Sequence, residues 1–123
     1  MPELIPAPIR IPVPGGKSID EHVGRVVNGE MAVSIAHMVA PGGWSEPAQT
    51  PEFDEYTLVL SGTVRVECGG EVIEATAGQT LITRAGERIR YSVPNQDGAS
   101  YIAVCLPAFS PHSVHRDDET PIG

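Results

Sequence analysis

The stretch EYTLVLSGTVRVECGGEVIEATAGQTLITRAGERIRYSV, residues 55–93, decides the fold. Short apolar runs rich in β-branched residues end at turn pairs such as Ser61-Gly62, Gly69-Gly70 and Ala85-Gly86. Strands of about four to eight residues between such turn signals are typical of an antiparallel sandwich or small barrel, so an all-β chain is predicted. The predicted strands lie in EMAVSIAHMV (30–39), YTLVL (56–60), TVRVEC (63–68), EVIEAT (71–76), QTLIT (79–83), ERIRYSV (87–93) and SYIAVCL (100–106).

The first 29 residues do not follow that pattern. Repeated prolines up to Pro14 favour an extended arm, because proline fixes one backbone dihedral and lacks the amide donor. Ser18 and Glu21 have the spacing of a helix capping box, which predicts one short helix from Ile19 to Arg25. The predicted organisation is an N-terminal arm with a short helix (1–29), a β-barrel (30–107) and a C-terminal tail (108–123).

The composition restricts the partners and the compartment. Sixteen acidic residues against eight Lys and Arg give a formal net charge of −8, which argues against a nucleic-acid partner because phosphate binding needs clustered bases. No apolar run is long enough for a membrane span, and the N-terminus lacks the pattern of a secretory signal, so a cytoplasmic location is expected. Cys68 and Cys105 are too few for a disulfide framework and are expected to be reduced.

Two spacings carry a family resemblance. Glu55 and Gly62 stand seven residues apart with the strand TLVLS between them, like the glutamate and glycine that close the first cupin motif. The segment GQTLITRAGERI, residues 78–89, follows the second cupin motif with Arg84 in the place of a proline. Residues 30–107 therefore resemble a single-domain, RmlC-like cupin. The resemblance implies a double-stranded β-helix, or jelly-roll, barrel.

The resemblance fails at the metal ligands. Metal-binding cupins hold a divalent ion with three histidines and one glutamate, and here only the glutamate, Glu55, is present. Gln49 is the nearest donor where the histidine pair would fall, and Ile89 stands in place of the second-motif histidine. Because an ion needs several converging N, O or S ligands, no cofactor is expected. The candidate ligands of a rebuilt divalent-metal site are His37, Glu46, Gln49 and Glu55.

The EutQ type of cupin, from ethanolamine utilisation, shares this departure. EutQ proteins also lack the histidines and carry an aromatic-Asp-Glu triplet, here Phe53-Asp54-Glu55. They have an isoleucine at the position of Ile89 and an aromatic residue two positions later, here Tyr91. The chain resembles this type, and the resemblance implies a role in ethanolamine breakdown.

Strand parity predicts which side chains face the barrel lumen. If Glu55 points inward, as its cupin counterpart does, Thr57 and Val59 share its face. If Ile89 occupies the histidine position, Tyr91 also points inward.

Three further side chains are assigned to the lumen or its rim. On the last strand, the face with Tyr101 and Ala103 is assigned to the lumen because small residues leave room for a ligand. His37 shares an apolar face of its strand, where it is either a core residue or a pocket residue. Arg84 lies near a strand end, from which its side chain reaches the rim.

The loop GGWSEPAQTPEFDE, residues 42–55, is predicted to form the mouth of the barrel. In one interpretation Trp44 and Phe53 stack on a ligand while Glu46 and Gln49 hydrogen-bond to it. In the other, the loop is merely polar and its two aromatic residues cover the core.

Two classes of function remain open, both with a small polar or anionic metabolite as the partner. The first is a proton-transfer enzyme, an isomerase or lyase, with Glu55 as general acid/base and with Tyr91 and His37 as its partners. The second is a binding module without turnover. The predicted ligand-binding residues are Trp44, Glu46, Gln49, Phe53, Arg84 and Tyr101.

The last strand also predicts an assembly. SYIAVCL, residues 100–106, is apolar on both faces, so its outer side needs cover. A homodimer is therefore expected, and the arm LIPAPIRIPVP, residues 4–14, could supply part of that cover by crossing to the partner.

Overall fold

The computed structural model describes residues 1–117, and this part of the chain is built from nine β-strands without a helix. The strands are β1 (Ile9–Ile11), β2 (Ser18–Val23), β3 (Ser34–Ala40), β4 (Asp54–Ser61), β5 (Thr63–Cys68), β6 (Glu71–Thr76), β7 (Thr80–Thr83), β8 (Ile89–Ser92) and β9 (Ala99–Leu106). A six-stranded sheet has the order β1-β2-β3-β9-β4-β7, and a three-stranded sheet has the order β6-β5-β8. Within this range, no helix is long and apolar enough to cross a membrane.

The all-β jelly-roll prediction is confirmed. The strand-rich region forms five antiparallel strands in two facing sheets, with β4 and β7 in the larger and β5, β6 and β8 in the smaller. The turn at Gly62 shows why the motif needs a glycine. Its φ is +79°, and a Cβ atom there would lie 2.1 Å from the carbonyl oxygen of Gly98. Any other residue at position 62 would therefore clash through its Cβ atom and would also hold a strained backbone conformation.

The short helix predicted from Ile19 to Arg25 is wrong. Ser18–Val23 is instead a strand that pairs with β3, with Ile19 opposite Met38. Glu21 does not close a capping box. Its carboxylate accepts hydrogen bonds from the amides of Val26 and Val27, at 2.9 and 2.8 Å, and so holds the turn after β2. The spacing of Ser18 and Glu21 is thus compatible both with a helix capping box and with the observed turn, in which Glu21 accepts from later amides.

The N-terminal arm contacts the barrel of its own chain. β1 pairs with β2 along Ile9–Ile11, and residues 11–14 line the cavity of the same barrel. Whether any part of the arm contacts a second copy stays a prediction. Pairing with a neighbouring strand satisfies backbone amides that an isolated extended arm would leave to solvent.

The hydrophobic core fills one end of the space between the sheets. Its fully buried members include Val59, Val64, Val93 and Ile89, and Trp44 closes it from the loop before β4. Among the cysteines, Cys105 is buried and Cys68 is half-buried, and both are free thiols. The other end of the barrel is left open as a cavity.

The C-terminal segment closes the barrel beside that cavity. The loop before β4 is bonded to β8 on one side, where Gln49 and Ile89 exchange backbone hydrogen bonds of 2.8 Å. On its other side, the amide of Thr50 donates to His115 at 3.0 Å and the amide of Asp117 donates to Ala48 at 2.7 Å. The first part of the predicted tail is thus built into the barrel, and its last residues, 118–123, lie outside the described range.

Candidate functional site

A cavity of about 350 Å³ occupies the open end of the barrel. Its walls come from the N-terminal arm, β2, β3, β4, β8, β9 and the C-terminal segment. Most of the lining is apolar, and the polar groups gather in two places. The inner group consists of the buried or half-buried Lys17, Glu46, Gln49, Glu55 and Tyr91, and the outer group of the exposed Arg25 and Arg116. Glu21, whose carboxylate bonds the turn that carries Arg25, also lines the cavity.

Glu55 is the central ionisable group of the inner set. It lies on β4, is 8% exposed and faces the cavity between Thr83 and Cys105 of the neighbouring strands. Burial raises the pKa of Glu55 to about 7, and the nearby carboxylate of Glu46 adds to this rise. The carboxyl group is therefore balanced between its acid and base forms near neutral pH.

A chain of hydrogen bonds supports Glu55 from β8. The hydroxyl of Tyr91 donates to the Glu55 carboxylate, which opposes the rise of its pKa. Thr83 Oγ1 and the Tyr91 hydroxyl oxygen share a hydrogen bond of 2.7 Å. Burial raises the pKa of the Tyr91 phenol, and the charge of Glu55 raises it further, so Tyr91 remains a proton donor.

Lys17 is a buried cation beside these carboxylates. Its Nζ lies 3.9 Å from Glu46 Oε1 and 4.2 Å from the centre of the Trp44 ring, with Tyr101 at 5.6 Å. Burial lowers the pKa of Lys17, while the charges of Glu46 and Glu55 oppose that shift. Ion pairing and cation–π contacts both stabilise the ammonium group at the inner end of the cavity.

Gln49 presents an unsatisfied polar atom. Its side chain is 3% exposed and lines the cavity, and no residue in the described range hydrogen-bonds to its Oε1 atom. A buried polar atom without a partner is costly, so this position suits a group that a ligand or a water molecule supplies. The assignment of the amide oxygen and nitrogen can be exchanged, so the missing partner is a donor or an acceptor.

Most of the residues predicted for the site do meet at the cavity. Trp44 is the intermediate case, because it is buried in the core and touches the site through Lys17. The predicted residues that line the cavity are Glu46, Gln49, Phe53, Glu55, Tyr91 and Tyr101.

His37 was assigned to the wrong face of its strand. Its Nε2 atom hydrogen-bonds with Ser100 Oγ at 2.7 Å on the outer side of the sheet. The inner face of β3 is formed instead by Ser34, Ala36 and Met38. Both faces of this strand are largely apolar, so its parity was ambiguous, and small side chains on the inner face are what leave the cavity open. His37 is therefore removed from the candidate catalytic residues.

Arg84 is also misplaced by the sequence prediction. Its Nη1 atom lies 3.3 Å from Asp54 Oδ2 and 3.1 Å from the Tyr56 hydroxyl. Asp54 and Tyr56 belong to the outer face of β4, opposite Glu55, because successive side chains of a strand alternate. Arg84 is thus part of a surface ion pair and not of the cavity rim.

Four charged residues of the cavity were missed as site residues, namely Lys17, Glu21, Arg25 and Arg116. All four lie in segments outside the motif-bearing region, and two of them were placed in the predicted helix. The available signal was weak. Lys17 follows Gly15-Gly16 directly before a strand, which is a position from which a side chain can turn inward.

The residues at the cavity do not fit a standard cupin metal site. At the positions of the standard ligands, Glu55 and Gln49 supply two ligand atoms and Ile89, buried in the core, supplies none. The ammonium group of Lys17 opposes a second cation. With His37 on the outer face, the rebuilt set of four candidate ligands does not assemble. Across residues 1–117, no group of three or more His, Cys, Asp or Glu side chains is arranged to hold a metal ion.

Comparison with known proteins identifies the family. A family model described as a cupin domain matches residues 35–105, which is more than half of the chain. The chain therefore belongs to the cupin family. It is similar to the EutQ protein of Clostridium difficile, with 23% identity and a TM-score of 0.64 over 75% of this chain and 63% of that one. An RmlC-like cupin from Shewanella frigidimarina matches at 14% identity and a TM-score of 0.70, over 85% of this chain and 88% of that one.

A curated relative is more similar in sequence but much longer. The protein named endoribonuclease YbeY of Myxococcus xanthus is 40% identical over 111 residues, which is 90% of this chain. The chain spans 38% of the length of that relative. At the identities of the two structural matches, the likeness establishes the fold alone.

Proposed function

We propose that this cupin binds a small polar metabolite in the cavity and that Glu55 transfers a proton to or from it. One observation carries the proposal. Glu55 faces the cavity with its pKa raised to about 7 by burial, which is where a general acid/base works best at neutral pH. The supported reaction class is isomerisation or elimination next to a carbonyl group.

The geometry supports a simple sequence of steps. The Glu55 carboxylate removes a proton from the carbon next to the ligand carbonyl. The electron pair of that C–H bond forms a carbon–carbon double bond, the π pair of the carbonyl moves onto its oxygen, and the ammonium group of Lys17 stabilises the negative charge. In an isomerisation, the carbonyl re-forms while protonated Glu55 gives the proton to the far carbon of an adjacent double bond, which shifts that double bond. In an elimination, the carbonyl re-forms while the leaving group departs with the proton from Glu55. Tyr91 holds the Glu55 carboxylate in position throughout.

A second candidate, a binding module without turnover, is favoured by a different observation. The Thr83–Tyr91–Glu55 hydrogen bonds are complete without a ligand, as expected of a structural acid. In this alternative the Lys17–Glu46 pair and the open Gln49 amide recognise the metabolite, and Glu55 only shapes the cavity.

The likeness to EutQ decides which ligands are screened first. A role in ethanolamine breakdown is included in the proposal on that ground, and ethanolamine-derived carbonyl compounds head the list. No ribonuclease activity is proposed for two reasons. The match covers only 38% of the longer relative, and this chain carries a net charge of −8, which is unfavourable for binding RNA.

The Glu55→Gln variant separates the two candidates. A ligand is first found by thermal shift, and its affinity and turnover are then measured for the wild type and the variant. In the enzyme, the variant keeps the fold and binds the ligand but loses about 10²–10⁴-fold in turnover. Wild-type turnover that persists in the variant removes Glu55 from the mechanism, and saturable binding without any turnover establishes the binding module.

We also propose that the protein is a homodimer formed through the outer face of the six-stranded sheet. The outward side chains there include Leu58 at 41% exposure and Ile82 at 50%, on the neighbouring strands β4 and β7. Leu106 on β9 extends the same apolar face. Several exposed apolar side chains on one sheet face are suited to contact with the same face of a second copy.

A further inference from the structure

We infer that the cavity takes an amphipathic organic anion, whose charged head group is bound by Arg25 and Arg116 at the outer end. These two residues are called the rim arginines below. This inference rests on the proposed use of the cavity for a small molecule and names the chemical class of that molecule.

The rim arginines differ from the other basic residues in their lack of an ion pair within residues 1–117. All eight Lys and Arg residues lie within the described residues, and six of them pair with a carboxylate there. Arg25 and Arg116 are the two that form no ion pair within residues 1–117, although the chain has sixteen acids against eight bases. Both line the cavity. Two cations that line one cavity and have no ion-pair partner within residues 1–117 are suited to an anion.

The backbone that carries Arg25 is held in place. The carboxylate of Glu21 accepts from the amides of Val26 and Val27, and the side chain of Asn28 accepts from the amide of Gly24 at 3.0 Å. A Cβ atom at Gly24 would lie 2.7 Å from the Glu21 carboxyl carbon, so this turn is closely packed. Arg25 is therefore presented from an ordered turn.

Arg116 is held from the opposite side of the cavity. Its backbone is bridged to Gln49, and the neighbouring Asp117 bonds to Ala48 through its amide and to Arg88 through its carboxylate. The charge of Arg116 reaches the inner group, because it lowers the pKa of both Glu55 and Lys17. The charge at the rim of the cavity therefore influences the ionisation of Glu55 and Lys17.

The distribution of charge sets the orientation of the ligand. At the inner end, Lys17 is already paired with Glu46, so a second anion there would be repelled by Glu46 and Glu55. The cavity carboxylate nearest in sequence to Arg25, Glu21, already accepts hydrogen bonds from the amides of Val26 and Val27. The walls between the two ends are apolar and include Met38, Phe53, Phe109, Val114 and Val26. A molecule with an anionic head, an apolar body and a neutral polar group at its inner end fits this arrangement.

The test compares matched probes that differ only in the head group. Octanoate and octyl phosphate carry an anion, whereas octanamide has the same body and no charge. Calorimetry at low salt is expected to show at least about 10-fold tighter binding of an anionic probe than of octanamide, because hydrogen bonds between arginine and an anion are stronger than those to a neutral amide. The better of the two anions identifies a carboxylate or a phosphate head group.

Variants locate the effect. Arg25→Gln and Arg116→Gln should each weaken the better anion by about 5- to 20-fold and leave octanamide within about twofold. Arg65→Gln is the matched control, because Arg65 pairs with Glu74 on the smaller sheet and does not line the cavity. It should change anion affinity by less than about twofold. Raising the salt concentration should weaken anion binding to the wild type and have little effect on the double variant.

Three results would overturn the inference: equal binding of octanamide and the anions, no binding of either anion at millimolar concentration, or an equal loss in Arg65→Gln. These failures are distinct from failure of the proposed proton transfer. If octanamide binds as well as octanoate, Glu55 chemistry on a neutral ligand still stands. If Glu55→Gln keeps full turnover, the preference for anions still stands.

Discussion

The stability of the protein should depend on pH through Glu55, and the Glu55→Gln variant isolates this dependence. Folding raises the pKa of Glu55 from an ordinary 4.5 to about 7, chiefly by burial. Between these values the folded chain keeps a proton that the unfolded chain has lost, so wild-type stability falls as the pH rises through this window. At about 1.4 kcal/mol per pH unit, full ionisation of buried Glu55 costs about 3 kcal/mol.

The variant removes that cost because glutamine has nearly the same shape and cannot ionise, and its carbonyl oxygen can still accept from Tyr91. The stability of Glu55→Gln relative to the wild type should therefore increase by about 2 kcal/mol between pH 5.5 and pH 8.5. The measurement is urea unfolding at several pH values, followed by the fluorescence of Trp44, the single tryptophan of the chain.

The control is Glu71→Gln, a change of the same type at an exposed position on β6. Its effect should stay within about 0.5 kcal/mol at every pH. A stability difference between Glu55→Gln and the wild type that does not vary with pH would refute the argument that burial raises the pKa of Glu55.

Three further predictions concern metal, assembly and Lys17. Protein purified without an affinity tag should contain well below one equivalent of iron, manganese, nickel or zinc by elemental analysis, and a full equivalent would show that the cavity supplies a non-standard metal site. Light scattering at micromolar concentration should give the mass of a dimer, and Leu58→Lys on the outer sheet face should give a monomer; a monomeric wild type would contradict the proposed interface. Lys17→Met removes a cation that lowers the pKa of Glu55, so the pH window of the stability change should move upward from about 7. An unchanged window would show that Lys17 does not act on Glu55.

Local sequence patterns were sufficient for the strands of the motif-bearing region and for part of the site. Residues 55–93 fold into the predicted strands because alternating side chains and glycine turns are properties of short segments. The position of Glu55 on the inner face of β4 follows from the same alternation once one residue of the strand is fixed by the motif. Tyr91 follows in the same way from Ile89 on β8.

When both faces of a strand are apolar, its own sequence does not determine which face points into the barrel. On β3, His37 and Met38 are equally compatible with the sequence pattern, and only pairing with β9 decides that Met38 faces the cavity. A similar limit applies to Ser18–Val23. Its spacing satisfied a helix signal, but pairing with β1 and β3 makes it a strand, since a tertiary partner outweighs a weak local preference.

The sequence by itself determined the cupin barrel and its central carboxylate, whereas the tertiary structure decided the charge of the cavity. Lys17, Arg25 and Arg116 come from the two ends of the chain and meet Glu55 only because β2 and the C-terminal segment pack against the same opening. The pKa of Glu55 depends on that assembly, because burial and neighbouring charges are set by contacts between residues far apart in sequence. Side-chain alternation predicts which residues share a strand face, but it does not predict which charged residues from distant parts of the chain will lie near that face.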